Sequence, residues 1–195
     1  MLGLPLRDEF DGAPIAYTSD TLGSQDKTEL VNVEFWNSGN QAPEAATPGS
    51  YYNNTYKALR LISDEYTFLY TTWCTGEREF YDMQSDPGQM TNRLATPPQG
   101  SAAKYYGRTE DQLFDRLDAL LMVTKSCLQD SCREPWEVLF PGGQVGNLTD
   151  AMRPEYDNFF ASQPKVSFSS CIQYHIVSEE GPQEVTAYGS KNDRS

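Results

Sequence analysis

The most continuously patterned stretch of the chain runs from Lys57 to Leu94. Ala58, Leu59, Leu61 and Ile62 form a short apolar run, and Ser63-Asp64-Glu65 is a polar break of the kind that turns a chain. Tyr66 to Trp73 is almost wholly aromatic, β-branched or leucine, the composition that suits a pleated, half-buried surface. Alternation along a strand places Tyr66, Phe68 and Tyr70 on one face and Leu69 and Thr71 on the other. Thr75-Gly76 marks a second tight turn, Glu79 to Asp82 a third strand, and Asp86-Pro87 a further turn leading into a final turn of helix. The pattern predicts an antiparallel meander.

A fourth strand is predicted upstream, where Glu29 to Trp36 alternates and Val31, Val33 and Phe35 make its buried face. Downstream, Thr109 to Ser126 predicts a helix. Thr109 is a candidate N-cap with Gln112 three residues on, which is a capping box. Glu110 and Asp111 in the first turn complement the helix dipole, as Lys125 does in the last. Leu113, Leu117, Leu120, Leu121 and Thr124 recur at helical spacing with Phe114 beside them, an amphipathic stripe facing a core. The fold class is therefore α+β: a small antiparallel sheet of about four strands with one long amphipathic helix across it. Shorter elements read as follows. Residues Asn37 to Asn54 and Ala95 to Gly107 are loops, with Tyr51 and Tyr52 on the sheet edge. Pro135-Trp136 and Pro141-Gly142-Gly143 are turns around Val138-Leu139-Phe140. Leu148 to Met152 is a helical turn and Tyr156 to Ala161 a second short helix. Val166 to Phe168 and Ile172 to Tyr174 are short edge strands, and from Glu179 the chain is polar and loose.

Length and charge narrow the partners. At 195 residues the chain has room for one domain with a core, and its 28 acidic against 15 basic residues give a net charge of −13. The acidity is spread along the chain and reads as solubility; it argues against a nucleic-acid partner, which needs basic patches. No segment approaches the length of a membrane span. The four cysteines, Cys74, Cys127, Cys132 and Cys171, stand beside two glycosylation sequons, at Asn53 and at Asn147, a combination that points to an oxidising, secretory compartment. Four cysteines allow three pairings. The pairing expected here is Cys127 with Cys132, closing a short loop, and Cys74 with Cys171; four buried thiols are the alternative. The spacings are not those of a zinc ribbon or finger. Met1 to Leu6 is too short for the apolar region of a signal peptide and has no basic residue before it, so the expectation is a fragment of a longer secretory protein.

The run Glu79-Phe80-Tyr81-Asp82-Met83 through Asp86-Pro87, Gln89, Asn92 and Leu94 resembles the C-terminal signature of the sulfatase family, with Phe80 and Met83 at positions where leucine is common. The flanking Asn53 to Arg60 and Trp73-Cys74-Thr75 are similar to fungal-type arylsulfatases and glucosamine-6-sulfatase relatives. The same likeness continues through Leu117 to Val123, Cys132 to Leu139 and Gln163 to Phe168, while Leu4-Pro5 and Asp11-Gly12 resemble the end of the sulfatase catalytic domain. The resemblance implies a division into residues 1–50, the end of the catalytic domain and a connector; 51–178, the C-terminal α+β subdomain; and 179–195, a loose polar tail. It implies that the family's alkaline-phosphatase-like core is absent here.

In the family, hydrolysis of aryl or sugar sulfate esters needs a formylglycine made from a Cys or Ser in C/S-x-P-x-R, a calcium on oxygen ligands, and Lys and His residues that stabilise charge and protonate the leaving group. Cys74-Thr75-Gly76-Glu77-Arg78 has the first and last residues but Gly76 in place of the proline, and it falls in a hairpin turn. The single histidine, His175, lies near the C-terminus and reads as a surface or half-buried polar residue. Glu77, Glu79, Asp82 and Asp86 sit at hairpin ends and turns, where capping is their expected work. The expectation is therefore no catalytic residue, no metal site and no cofactor in this chain, with calcium and formylglycine belonging to the intact family member. The partner implied is the missing catalytic domain, and a sulfate ester is a substrate only of an intact enzyme. This reading predicts an exposed apolar face on the isolated chain, with Val31, Val33, Phe35 and the Leu2 to Leu6 run as candidates. The alternative is a free-standing, secreted, disulfide-bonded binding module that presents Tyr51, Tyr52 and Trp36 to a carbohydrate or protein partner.

Overall fold

The structure, a computed structural model, describes residues 7, 9–13, 29–36, 39–40, 50–51, 53–95, 103–172 and 174–190. Four strands form one antiparallel sheet: β1 (Leu30–Phe35), β4 (Tyr56–Ile62), β5 (Thr67–Trp73) and β6 (Arg78–Asp82), in the order β1-β4-β5-β6. Two minor two-stranded ribbons pair β2 (Gly39–Asn40) with β3 (Ser50–Tyr51), and β7 (Lys104–Tyr105) with β8 (Arg108–Thr109). The meander closes locally. Ser63 accepts from the backbone N–H groups of Glu65 and Tyr66 in the first turn, and Gly76 takes φ +87° in the second, a value glycine adopts without steric cost. After β6 the chain makes turns but no helix. Asp86 accepts from the N–H groups of Met90 and Thr91, and the Asn92 amide bridges Phe80 N–H and Arg78 C=O. Side-chain caps thus satisfy the backbone groups that a helical turn would have paired internally.

Helix α1 (Glu110–Thr124) lies across one face of the sheet, starting from a complete capping box at Thr109 and Gln112. Its apolar stripe meets Leu59, Leu61, Phe68, Tyr70 and Phe80 in a single core. The helix is nevertheless buried nearly all round, Arg116 and Asp118 included, because a second helical layer covers its back. That layer contains α2 (Asp130–Arg133), α3 (Pro135–Leu139), α4 (Leu148–Ala151) and α5 (Asp157–Ser162). Pro135 opens α3 at a first-turn position where its missing N–H is harmless, so Trp136 to Leu139 coil rather than turn. Phe140, Tyr156, Phe159, Phe160 and Tyr188 interlock as an aromatic cluster with ring centroids 4.8–5.8 Å apart.

Three other expectations need correction. Residues 166–168, and Ile172 and Tyr174, are not in strands: Val166 N–H is taken by the Asp118 carboxylate and Ser169 N–H by Glu179 C=O. The chain from Glu179 to Ser190 is packed, not loose, with Glu180 buried and Tyr188 donating its N–H to Leu139 C=O. The face of β1 is reversed, and its register gives the reason. Leu30, Asn32 and Glu34 sit opposite Leu61, Leu59 and Lys57 on the core side, whereas Val31, Val33 and Phe35 sit opposite Arg60, Ala58 and Tyr56 on the far side. Strand β1, placed by sequence within residues 1–50, thus belongs to the same sheet as the meander. The Leu2 to Leu6 run and the side chains of Tyr51 and Tyr52 lie outside the described residues.

Candidate functional site

The sheet has two unlike faces. The core face carries Leu59, Leu61, Phe68, Tyr70 and Phe80 under α1, all buried. On the far face no described helix covers the strands, and the side chains that alternation sends there are largely apolar. Val31 is 50% exposed, Val33 38% and Ile62 51%. Phe35, Tyr56 and Trp73 stand in register across three strands, with Phe35 stacked on Tyr56 at 5.8 Å and Tyr56 tilted on Trp73 at 4.8 Å. Leu69 and Tyr81 continue the face over β5 and β6. Exposure is concentrated on the β1 side, at Val31, Val33 and Ile62, whereas Ala58, Thr71 and Tyr81 of the same face are buried; an apolar patch of this kind open to water marks an interaction site.

A charged seam edges the core beside this face. Lys57 is fully buried, alternating with Leu59 and Leu61; its Nζ donates to Lys125 C=O at 2.7 Å and reaches Glu34 at 2.7 Å and Glu180 at 3.6 Å. The same ammonium lies 4.2 Å from the centre of the Trp36 ring, a cation–π contact. Lys125 donates to Glu180 C=O at 2.8 Å, and burial pushes its pKa down. His175 is half-exposed against Trp36, 3.3 Å from the Glu180 carboxylate. Trp36 is thus a wall of this seam, and half-buried.

Four carboxyls are held above their ordinary range, each chiefly by burial: Glu29, Glu79, Asp118 and Glu180. Glu29 accepts from Tyr66 OH, from Trp136 Nε1 at 2.7 Å and from Leu148 N–H at 3.0 Å, joining the sheet to α3 and α4. Asp118 accepts from Tyr70 OH at 2.8 Å and Val166 N–H at 2.9 Å. A carboxyl whose folded pKa lies above its unfolded one stabilises the fold most at pH below the unfolded value, and that stability fades as pH rises through the folded value. Glu9 and Glu179 are shifted down by their side-chain hydrogen bonds, but both lie at the surface and oppose the trend weakly. The melting temperature is therefore expected to be higher near pH ~5 than near pH ~8, and the slope to flatten in Asp118→Asn and Glu29→Gln. A thermal-shift series over that range that rises toward alkaline pH sinks the assignment.

The sequence's candidate residues fall as follows. Cys74 is bonded to Cys171 and Cys127 to Cys132, and the structure holds no free cysteine. Gly76, at the place where a formylglycine motif needs proline, lies in the β5–β6 turn. Asn53 and Asn147 are both exposed. The Asn147 side chain also caps α4 by accepting from Asp150 N–H, while Thr55 of the other sequon is buried and donates to Ile172 C=O. Asp82 and Asp86 accept backbone N–H groups in their turns, and Glu77 accepts from the Thr75 hydroxyl. Among the described residues no group of three or more His, Cys, Asp or Glu is placed to hold a metal ion, and no helix is long and apolar enough to cross a membrane. The exposed apolar face expected at Val31, Val33 and Phe35 is present at Val31 and Val33, with Phe35 half-buried, whereas the Lys57 seam was missed by sequence. The one available signal was Lys57 itself, a lysine in phase with Leu59 and Leu61.

A four-stranded sheet with one face in a core and the other exposed at its β1 side defines an α+β packing unit. Over nearly its whole length the chain is homologous to sulfatases. It is 37% identical over 194 residues to Sulfatase ppz1 of Metarhizium majus, matching 99% of this chain and 38% of that one. It is 32% identical to an arylsulfatase of Chlamydomonas reinhardtii (94% of this chain, 28% of the relative) and 30% identical to an arylsulfatase of Volvox carteri (80% and 22%). The chain thus spans well under half the length of each of these relatives. No family model matches, and no solved structure matches significantly.

Proposed function

We propose that this chain serves as the C-terminal subdomain of an arylsulfatase-like sulfuric ester hydrolase, docking the far face of its sheet on the catalytic portion and helping to wall the cleft where the ester is cleaved. The observation that carries this reading is the asymmetry of the match: 99% of this chain against 38% of a sulfatase. The open apolar face supports it, since Val31, Val33 and Ile62 have no cover from the described elements, and the catalytic portion of a sulfatase is the occupant the homology points to. In this reading the nucleophile and any calcium belong to that portion, and the chain alone does not turn over sulfate esters. Two disulfides and two exposed sequon asparagines, Asn53 and Asn147, support a secretory setting.

A graft tests it. This chain, placed in the matching segment of the Chlamydomonas reinhardtii arylsulfatase, is expected to give a folded protein that hydrolyses a chromogenic aryl sulfate, while the chain alone gives no turnover. Val31→Lys with Val33→Lys is expected to leave the melting of the isolated chain within about 1 °C, because both residues are surface here, yet to abolish activity in the graft. Turnover by the isolated chain, or a graft indifferent to the two lysines, overturns the proposal.

A further inference from the structure

At the other end of the sheet, on the core side, a shallow cleft of about 460 Å³ opens between the β7–β8 hairpin and the turns that follow β4 and β6. Its size falls in the range of small-ligand sites, roughly 300–1,000 Å³. Four aromatic rings border it: Tyr66 and Phe68, both buried, and Tyr105 and Tyr106, which reach the surface. Between them stand two carboxylates, Glu65 and Asp82, one amide, Gln84, and one ammonium, Lys104.

Two features mark the cleft as built. Tyr106 sits at φ +51° in the two-residue hairpin turn, followed by Gly107 at +76°. Such turns favour Asn or Gly at both places, and a bulky residue there carries backbone strain. A large aromatic is kept at the strained position, 41% exposed, with its hydroxyl donating to Glu65 at 3.1 Å. The same Glu65 oxygen also accepts from the Thr149 hydroxyl at 3.0 Å, which fixes the carboxylate before any ligand arrives. Tyr105 packs edge-on to Phe68 at 5.3 Å, so its ring too is held. Its pKa is pushed up to about 12, first by burial and then by Asp82 and Glu110, so the phenol remains a donor at neutral pH.

The mixture of groups selects the ligand. Two carboxylates against one ammonium leave the cleft net negative, which disfavours an anion, and Lys104 offsets part of the pull on the organic cations that an aromatic cage would otherwise favour. A polyhydroxylated ring has an apolar face for Tyr105 and Tyr106 and hydroxyls that both donate and accept, matching Glu65, Asp82, Gln84 and Lys104. We propose that this cleft is a binding site for a neutral pyranose unit of an oligosaccharide. Asp82 lies opposite Phe68 and shares its core-side face, away from Val31 and Val33, so the site is distinct from the docking face and stands or falls independently of it.

Calorimetric titration of the 195-residue chain with cellotetraose, maltotetraose and chitotetraose, with a heparin tetrasaccharide as anionic comparator, tests it. The expected result is a millimolar or tighter affinity for at least one neutral tetrasaccharide and a weaker one for the heparin fragment. Tyr106→Gly relieves the backbone strain and is expected to keep or raise the melting temperature while weakening binding at least about tenfold. Gln84→Ala, an exposed polar change, is expected to weaken it several-fold with the fold intact. No neutral sugar bound at about 10 mM, preferential binding of the heparin fragment, or binding indifferent to Tyr106→Gly overturns the proposal.

Discussion

Arg116→Met is expected to destabilise the chain by about 3–5 kcal/mol, the scale of breaking a buried, hydrogen-bonded charge pair. The Arg116 side chain is fully buried in the middle of α1 and ties three elements together. Its guanidinium donates to Ala151 C=O at 2.7 Å, to Gln112 C=O at 2.8 Å, to Arg153 C=O at 3.2 Å and to Asp157 at 2.7 Å, and it lies over the Phe160 ring at 4.8 Å. Methionine fills the volume but leaves the carbonyls of Ala151 and Arg153 without this donor. Asp157 retains Arg108 at 3.1 Å and Gln112 at 3.0 Å, which sets the lower end of the range. Arg116→Lys is expected to recover under half of the loss, because a single ammonium cannot span a fork of four acceptors. Urea unfolding followed by circular dichroism measures both variants. A loss below about 1 kcal/mol for Arg116→Met shows that the second helical layer does not depend on this side chain.

Removing the Cys74–Cys171 bridge as Cys74→Ser with Cys171→Ser is expected to cost about 4–5 kcal/mol, against about 2 kcal/mol for Cys127→Ser with Cys132→Ser. The bridges span 97 and 5 residues, and the longer loop restricts the unfolded chain far more. The loss also has a place. Cys171 anchors the strap of residues 163–190 to the end of β5, next to the Thr55 hydroxyl bond to Ile172 C=O. Without it, that strap is held to the body by Val166 N–H on Asp118, the Lys165–Asp115 pair, the Lys125–Glu180 bond and the packing of Tyr188. Limited proteolysis is expected to cut the strap first. Equal destabilisation by the two double variants, or first cleavage elsewhere, contradicts this picture.

The central meander and the capped helix were legible because their signals are local. Alternation at Tyr66, Phe68 and Tyr70, and the box at Thr109 and Gln112, each depend on residues a few positions apart. The face of β1 was not legible for a physical reason. Val31, Val33 and Phe35 are the more apolar set, and hydrophobicity alone assigns them inward. What overrides it is Lys57, buried on the core side, which Glu34 meets at 2.7 Å, while Asn32 donates to Thr124 C=O at 3.2 Å. An edge strand beside a buried ammonium turns its polar residues inward, and only tertiary structure reveals that the ammonium is buried. The same holds for Arg116 and Asp118 of α1, charged residues whose burial depends on distant partners, Ala151 C=O for the first and Tyr70 OH and Val166 N–H for the second. The aromatic cleft escaped notice because Glu65, Asp82, Lys104 and Tyr106 are brought together by turns with no common spacing.

The position of Tyr188 has a consequence for biosynthesis. Its ring stacks on Phe140 at 5.1 Å and meets Tyr156 and Phe159 edge-on, so the aromatic cluster at the back of α1 lacks one wall until residue 188 is available. A nascent chain emerging at roughly 5–20 residues per second can form the meander and α1 early, since their contacts are near in sequence. The second helical layer must wait, its aromatic rings unsealed, for the last dozen described residues to leave the ribosome. During that interval the growing polypeptide exposes two sticky surfaces rather than one, and its need for chaperone cover is greatest just before synthesis of this segment ends.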